Sequence, residues 1–565
     1  MRISSRLVIT VLAILLLVMP LLAACDDDDE TAPPTATDEP TATTEPTATA
    51  EPTAEPSPAT PPPPAEPTEI TLGLASFGNE VWLAPLAGAT DNAAIESVVE
   101  TLFFLDGDTY TPRLAESMEW NEDNTVYTFH LRQGVQFHDD WGEFTAEDVK
   151  YTMELAQQEG SQSTASGFFV DNLASIDVVD DYTVTVTFNS ATSIPTIMGR
   201  VCGNTPPVNA IVSKNHIETV GQDEAMRHPI GTGPYTFVDS KMGVSVTLEK
   251  NPDYWGDEPY YDNVMLKLLP DDITRVAALQ AGEIDATEIS PIQVPEIEGV
   301  AGLGVIEGGV VYDESVLFGM QTDENAGLLP WIGTDDNALK VRKALALAID
   351  KQEIIDFIFF GYGAPMSVWN FWPDSAYNDP SWTQYPFDPE QAAALLAEAG
   401  YPDGDGFPSI TITTFTQAGR PTSPDVAQVV MGYWEEHLGI DVSVEVTDYA
   451  GTFKPSFFGS GGWEGVYTWP FSRRDAIENW GFGVLQFPVM AGYSELKALT
   501  ATANGLVDPA ARAEAAMAAG QWAYDNYVCV PIAGGKLLYG VDTEKVSTWV
   551  IPPAPYFIGV YSIAP

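Results

Sequence analysis

An α/β fold is predicted for most of the chain by three observations: strands that alternate cleanly, helices that carry their own caps, and the regular succession of one by the other. DYTVTVTF (181–188) sets Tyr182, Val184, Val186 and Phe188 on one face and threonines on the other, the pattern of a half-buried strand. Asp388-Pro389-Glu390-Gln391 opens a helix with an N-cap aspartate, a proline at the first helical position and a glutamine three residues after the cap, and Gly400 closes it. Ser423-Pro424 starts another helix that runs through Trp434 to Gly439. IDVSVEV (440–446) follows with strict alternation, so the pair reads as helix then strand. A third amphipathic helix is expected over Leu339 to Phe359.

The first 67 residues are of another kind. Arg2 and Arg6 precede an apolar stretch from Leu7 to Leu22 that ends in small residues, a secretory signal layout for residues 1–24. The run is short for a span of about 20 residues, and Asp26 to Asp29 would be costly in hydrocarbon. Leu22-Ala23-Ala24-Cys25 resembles the lipobox of bacterial lipoproteins, which implies cleavage before Cys25 and lipid on its thiol. Residues 25–67 then form a tether: TATDEP, TATTEP and TATAEP repeat before PPPP, with too few apolar side chains to repay ordering. Proline biases such a chain toward extended polyproline II. At roughly 3.1 Å per residue, its reach is on the order of 100 Å.

A formal net charge of -57, from 81 acidic and 24 basic residues, sets the chain against nucleic acid and anionic lipid surfaces. Three cysteines and five histidines (His130, His138, His216, His228, His437) lack metal-binding spacing, so no metal or cofactor is expected. Phe137-His138-Asp139-Asp140 reads as a surface turn rather than a ligand cluster. No Gly-x-Ser-x-Gly or His-Glu-x-x-His string occurs. Paired carboxylates are inevitable in so acidic a chain, so they identify no glycosidase. The reading is a non-enzyme.

Several stretches together resemble one family, the extracellular solute-binding proteins of family 5 that serve ABC importers of peptides, dipeptides and nickel. YTPRLAESMEWNEDNTVYTFHLRQGVQFHDDWGEFTAEDVKYTMEL (110–155) carries the longest match. It continues through IDVVDDYTVTVTF (176–188), GTGPYTF (231–237), KNPDYWG (250–256), AALQAGEIDA (277–286), VRKALALAIDKQEI (341–354) and FDPEQAAALLAEAGYPDGDGF (387–407). The resemblance implies a bilobal, type II binding-protein clamshell with an extra subdomain. Lobe one would comprise 68–94, 206–320 and 531–565, the insertion 95–205, and lobe two 321–530. It also implies a monomeric receptor on the extracytoplasmic face, with a peptide or similar solute and the permease subunits as partners. The alternatives on the same fold are an oligosaccharide or a metal chelate, with a surface sensor or hydrolase behind them.

Most matched motifs read as scaffold. Gly231 and Gly233 permit a tight turn ahead of a strand; GTGP lacks the Lys-Ser/Thr of a phosphate loop. Arg342 and Asp350 are expected to support helix packing. For ligand contacts, the resemblance directs attention to 77–82, SVWNFWPD (367–374), FTQAGRP (415–421) and VYTWPFSRRD (466–475). Trp82, Trp369, Trp372 and Trp469 are the candidate cleft walls, and Arg473, Arg474 and Asp475 the candidate orienting charges. Peptide-binding relatives carry a D-x-x-D-P-like turn at the last segment, whereas this chain reads WPFSRRD, so either Asp475 replaces that aspartate or the ligand has changed. The family topology brings Cys202 and Cys529 near the lobe-crossing segments, as a disulfide or as two separately buried thiols.

Overall fold

A computed structural model describes residues 68–87, 93–106, 109–163, 165–201, 209–415, 422–453, 465–486, 491–506, 508–551 and 558–565. The signal segment, Cys25, the tether and Cys202 lie outside the described residues. The strands, in chain order, are β1 (Glu69–Leu74), β2 (Phe103–Asp106), β3 (Thr109–Pro112), β4 (Ala115–Trp120), β5 (Val126–Leu131), β6 (Leu173–Asp180), β7 (Thr183–Phe188), β8 (Tyr235–Lys241) and β9 (Ser245–Lys250). They continue with β10 (Asn263–Leu268), β11 (Ala286–Glu288), β12 (Leu303–Phe318), β13 (Ala364–Pro365), β14 (Ile410–Phe415), β15 (Val442–Thr447), β16 (Val466–Ser472) and β17 (Cys529–Asp542).

One large sheet runs β15-β14-β16-β12-β17-β11-β1-β10-β9-β8, with β13 joined to β17 beside this path. Its two long members, β12 with 16 residues and β17 with 14, pair antiparallel from Leu303 opposite Asp542 to Leu317 opposite Cys529. At one end β11 attaches to β17 over Ala286–Glu288. At the other, β16 attaches to β12 from Tyr312 opposite Ser472 to Phe318 opposite Val466. Between these attachments the register slips twice, between Glu307 and Val310 and between Val310 and Tyr312. Bulges interrupt the ladder and raise the local twist, so the crossing ribbon is where one half-sheet turns against the other. Two half-sheets joined by crossing strands make the bilobal α/β clamshell.

A second, four-stranded sheet, β4-β5-β7-β6, has a core of its own. Val184, Val186 and Phe188 alternate into it, as the threonine pattern predicts, and Ile197, Met198 and Val201 of the helix Ile194–Val201 join them. Glu100 ties this region down: fully buried, it accepts from Arg113 Nε (2.9 Å), Thr232 Oγ1 (2.9 Å), Tyr254 OH (3.0 Å) and Trp255 Nε1 (2.8 Å).

The capped helices form as read. Asp388 accepts the Gln391 N–H at 2.9 Å ahead of Pro389–Glu398, and Ser423–Leu438 stops at Gly439, whose φ of 67° is left-handed. The long helix expected over Leu339 to Phe359 is two, Asp336–Leu347 and Lys351–Phe357. The break has a local cause. The Asp350 carboxylate caps the second helix by accepting from the Glu353 N–H (3.0 Å), and the Lys351 ammonium donates to the Ala346 and Ile349 carbonyls at 2.9 and 3.0 Å. Arg342 is buried and donates to the carbonyls of Asn526, Trp331 and Gly333, a packing role.

The 137–140 turn is at the surface only in part. Asp139 and Asp140 are exposed, but His138 is buried with Nε2 2.9 Å from the Gly233 carbonyl. The GTGP glycines serve close approach: a Cβ on Gly231 would lie 2.0 Å from the Val98 carbonyl oxygen, and one on Gly233 2.3 Å from that of Ser97. Among the described residues, no helix is long and apolar enough to cross a membrane.

Candidate functional site

The second half of β12, Val311–Phe318, is buried throughout, yet three consecutive polar residues, Asp313, Glu314 and Ser315, sit inside it. Burying such groups is costly unless they are bonded, and the chain answers with a polar array around β12 and β16. Asp313 accepts from the Asn370 backbone N–H (2.7 Å) and from Ser315 Oγ (2.6 Å). Asn370, held at a left-handed φ of 60°, accepts at Oδ1 from Asn479 Nδ2 (2.6 Å), which also donates to the Ser472 carbonyl. On the other side Glu314 accepts from Ser423 Oγ at 2.6 Å, and Thr468 donates to Thr414 Oγ1 at 2.7 Å. Burial pushes the Asp313 carboxyl up to about 6.

Aromatic side chains pack against this array. Trp369 and Trp469 both meet Phe471, at ring-centroid distances of 5.0 and 4.9 Å, and Trp469 meets Phe453 at 5.5 Å. The Trp369 carbonyl accepts from Trp480 Nε1 at 3.0 Å, whereas the Trp369 indole N–H is buried with no acceptor. Leaving such a donor unpaired in a buried core is costly.

Six of the seven cleft candidates gather here. Trp372 donates its indole N–H to the Arg474 carbonyl at 2.9 Å, and the Arg473 guanidinium lies 5.4 Å from the Trp372 ring centre. Arg473 pairs with Asp374 at 3.0 Å and reaches the Val310 carbonyl of the crossing strand. Asp475 is engaged twice: its carboxylate caps the helix Ala476–Trp480 through the Glu478 N–H (2.9 Å) and pairs with buried Arg512 (2.8 Å). Trp82 stands apart. It is buried in another core, between Phe77 at 6.2 Å and Phe237 at 6.5 Å. Cys529 is a buried free thiol raised well above its usual range by burial, and its proposed partner Cys202 lies outside the described residues. Among the described residues no cluster of three or more His, Cys, Asp or Glu side chains could hold a metal ion.

Asp313, Glu314, Asn370 and Asn479 are not among the ligand contacts expected from the sequence. The signal is present in VVYDESVLF: an Asp-Glu-Ser run inside an otherwise apolar strand needs buried partners, and a satisfied polar network of that kind rigidifies the core around it. Asn370 sits in SVWNFWPD, between two tryptophans and a phenylalanine.

A likeness to known proteins covers both the site and the frame. The chain belongs to the bacterial extracellular solute-binding proteins of family 5, whose middle-region model matches residues 109–479. It is 30% identical over 409 residues to Heme-binding protein A of Haemophilus influenzae, covering 67% of this chain and 71% of that protein. It is likewise 30% identical over 405 residues to Glutathione-binding protein GsiB of Salmonella paratyphi A, covering 69% and 74%. Among solved structures, the ABC transporter substrate binding protein CtaP of Listeria monocytogenes superposes with a TM-score of 0.73 at 21% identity, covering 88% of this chain and 99% of that one. The dipeptide binding protein of a Pseudoalteromonas species, in complex with Met-Leu, gives 0.67 at 20% identity over the same shares. The protein is a solute-binding receptor of the bilobal type.

Proposed function

We propose that the protein is the extracytoplasmic receptor of an ABC importer for short peptides or peptide-sized solutes. In this reading it is a monomer, held at the membrane through lipid on Cys25, that closes on its solute and hands it to the permease. Lobe one comprises 68–94, 206–320 and 531–565, the insertion 95–205, and lobe two 321–530. Trp369, Trp372 and Trp469 supply the aromatic wall. Arg473, Arg474 and Asp475 act as its frame, because Arg473 and Asp475 are bound to neighbours within the protein. No catalytic step is assigned.

The observation that carries this reading is the buried array on the crossing strand, Asp313 to Asn370 to Asn479, with the unsatisfied indole N–H of Trp369 beside it. A hydrogen-bonding core at the hinge of two lobes is where a ligand's polar groups substitute for water as the lobes close. A peptide offers the matching carbonyls. The relatives named for glutathione and for di- and tripeptides support peptide over sugar as the solute.

Native mass spectrometry of the purified protein tests it. A retained mass in the range of a di- to hexapeptide is the expected result. A retained porphyrin, chelate or oligosaccharide would overturn the peptide assignment. Cleavage of an added peptide would overturn the receptor reading.

A further inference from the structure

The helix Ile194–Val201 packs into the core of the four-stranded sheet, and the helix Ala476–Trp480 packs into the core that holds Trp369 and Trp469. An ion pair joins these two separately built bodies: Arg200 Nη2 lies 3.0 Å from Glu478 Oε1, with side-chain exposures of 18% and 11%. We propose that Arg200 and Glu478 form a closure latch, an ion pair that holds the inserted subdomain against lobe two when the receptor shuts. The proposal rests on the reading of the protein as a closing receptor.

Four observations support the latch. Arg200 is held from its own side, with its guanidinium 5.3 Å from the Phe168 ring centre and its carbonyl accepting from the Asn209 amide. Gly199 makes room for the partner: a Cβ there would lie 2.9 Å from Glu478 Oε2. The contact is shut off from solvent, since Arg200 Nε and Glu478 Oε1 are both buried. Glu478 is also rigidly tied to the site. Its helix is capped by Asp475, and the next residues, Asn479 and Trp480, bond Asn370 and the Trp369 carbonyl.

Electrostatics gives the pair its importance. With a net charge of -57, bringing two parts of this chain together is opposed by like-charge repulsion. A single arginine reaching across to a carboxylate in a partly desolvated contact reverses that locally, and it is screened less by salt than a surface pair.

Pulsed electron–electron resonance on the full chain tests this, with spin labels on p-acetylphenylalanine at exposed positions 171 and 495, avoiding the native cysteines. Arg200→Gln and Glu478→Gln should each move population toward longer separations. Gly199→Ala should do the same while keeping both charges and a helix-favouring residue. The charge exchange Arg200→Glu with Glu478→Arg should restore the short distance, which distinguishes loss of the latch from misfolding. For tri-alanine, calorimetry should show binding weakened about threefold to tenfold in each single variant and recovered in the exchange. Distance distributions in all three single variants identical to the natural protein's would overturn the latch. Failure of the natural protein to bind tri-alanine would count against the peptide assignment alone, because the distances are read without solute.

Discussion

Arg512 Nη2 lies 2.8 Å from Asp475 Oδ1, and the same carboxylate oxygen accepts the Glu478 N–H at the start of the next helix. The guanidinium is buried and also donates to the Ala503 carbonyl and Tyr377 OH. Through Arg512, one aspartate thus ties Tyr377 and the helices Ser494–Gly505 and Pro509–Asp525 to the end of β16. Removing a single partner from a buried pair leaves the other charge without compensation. Asp475→Asn keeps a capping oxygen but loses the charge, so the expected cost is about 3 kcal/mol of stability with the fold retained. Urea denaturation measures it. A loss under about 0.5 kcal/mol would show that the pair behaves as a surface contact.

Gly231 supports a second prediction. Its missing side chain faces the backbone of Val98, and a Cβ would meet the carbonyl oxygen at 2.0 Å and the carbonyl carbon at 2.7 Å. Backbone cannot rotate away as a flexible side chain can. Gly231→Ala is expected to cost about 3 kcal/mol or to block folding, within the range for overpacked sites. Gly134→Ala is the comparison, since a Cβ there meets no atom within 4 Å and only its φ of 78° is unfavourable. Equal thermal shifts in the two variants would contradict the steric account.

The contiguity of the apolar run, LAAC and an acidic tether leads to a third prediction. With Cys25 as the proposed point of lipid attachment, Cys25→Ser should release the protein from membranes or leave it unprocessed. Fractionation of expressing cells, with mass analysis of the mature N-terminus, checks it. Normal processing with full membrane retention would refute the anchor.

How much was legible in the sequence follows from what each signal depends on. Caps and alternation are local, so Asp388, Gly439 and the Val184–Val186–Phe188 face were readable directly. The helix break at Asp350 was hidden because an apolar period continues through it, while a carboxylate and the Lys351 ammonium end the helix by hydrogen bonding. Around the candidate site, the partners of the charged residues could not be read from the sequence. Asp475 and Arg473 look like ligand clamps until Arg512 and Asp374 are seen beside them, from positions 37 and 99 residues away in the chain. Asn370 and Asn479, 109 residues apart, meet only through the tertiary fold.

The last prediction concerns pH and Asp313. Burial raises its carboxyl to about 6 in the folded protein, against about 4 in an unfolded chain. Between those values the folded state holds the extra proton, so this residue's contribution is most favourable below about pH 4 and is lost as pH rises through 6. Keeping the carboxylate charged at neutral pH therefore costs on the order of 3 kcal/mol. Asp313→Asn abolishes that titration and keeps an oxygen to accept from Asn370. Other groups pull in both directions: burial lifts Glu96 to about 7 and lowers His138 to about 4, the histidine losing stability as pH falls. The readable quantity is thus the difference between the two proteins. Urea midpoints taken from pH 4 to 7 should show the natural protein losing stability relative to Asp313→Asn as pH rises. Parallel curves would mean that the carboxyl is solvated rather than buried.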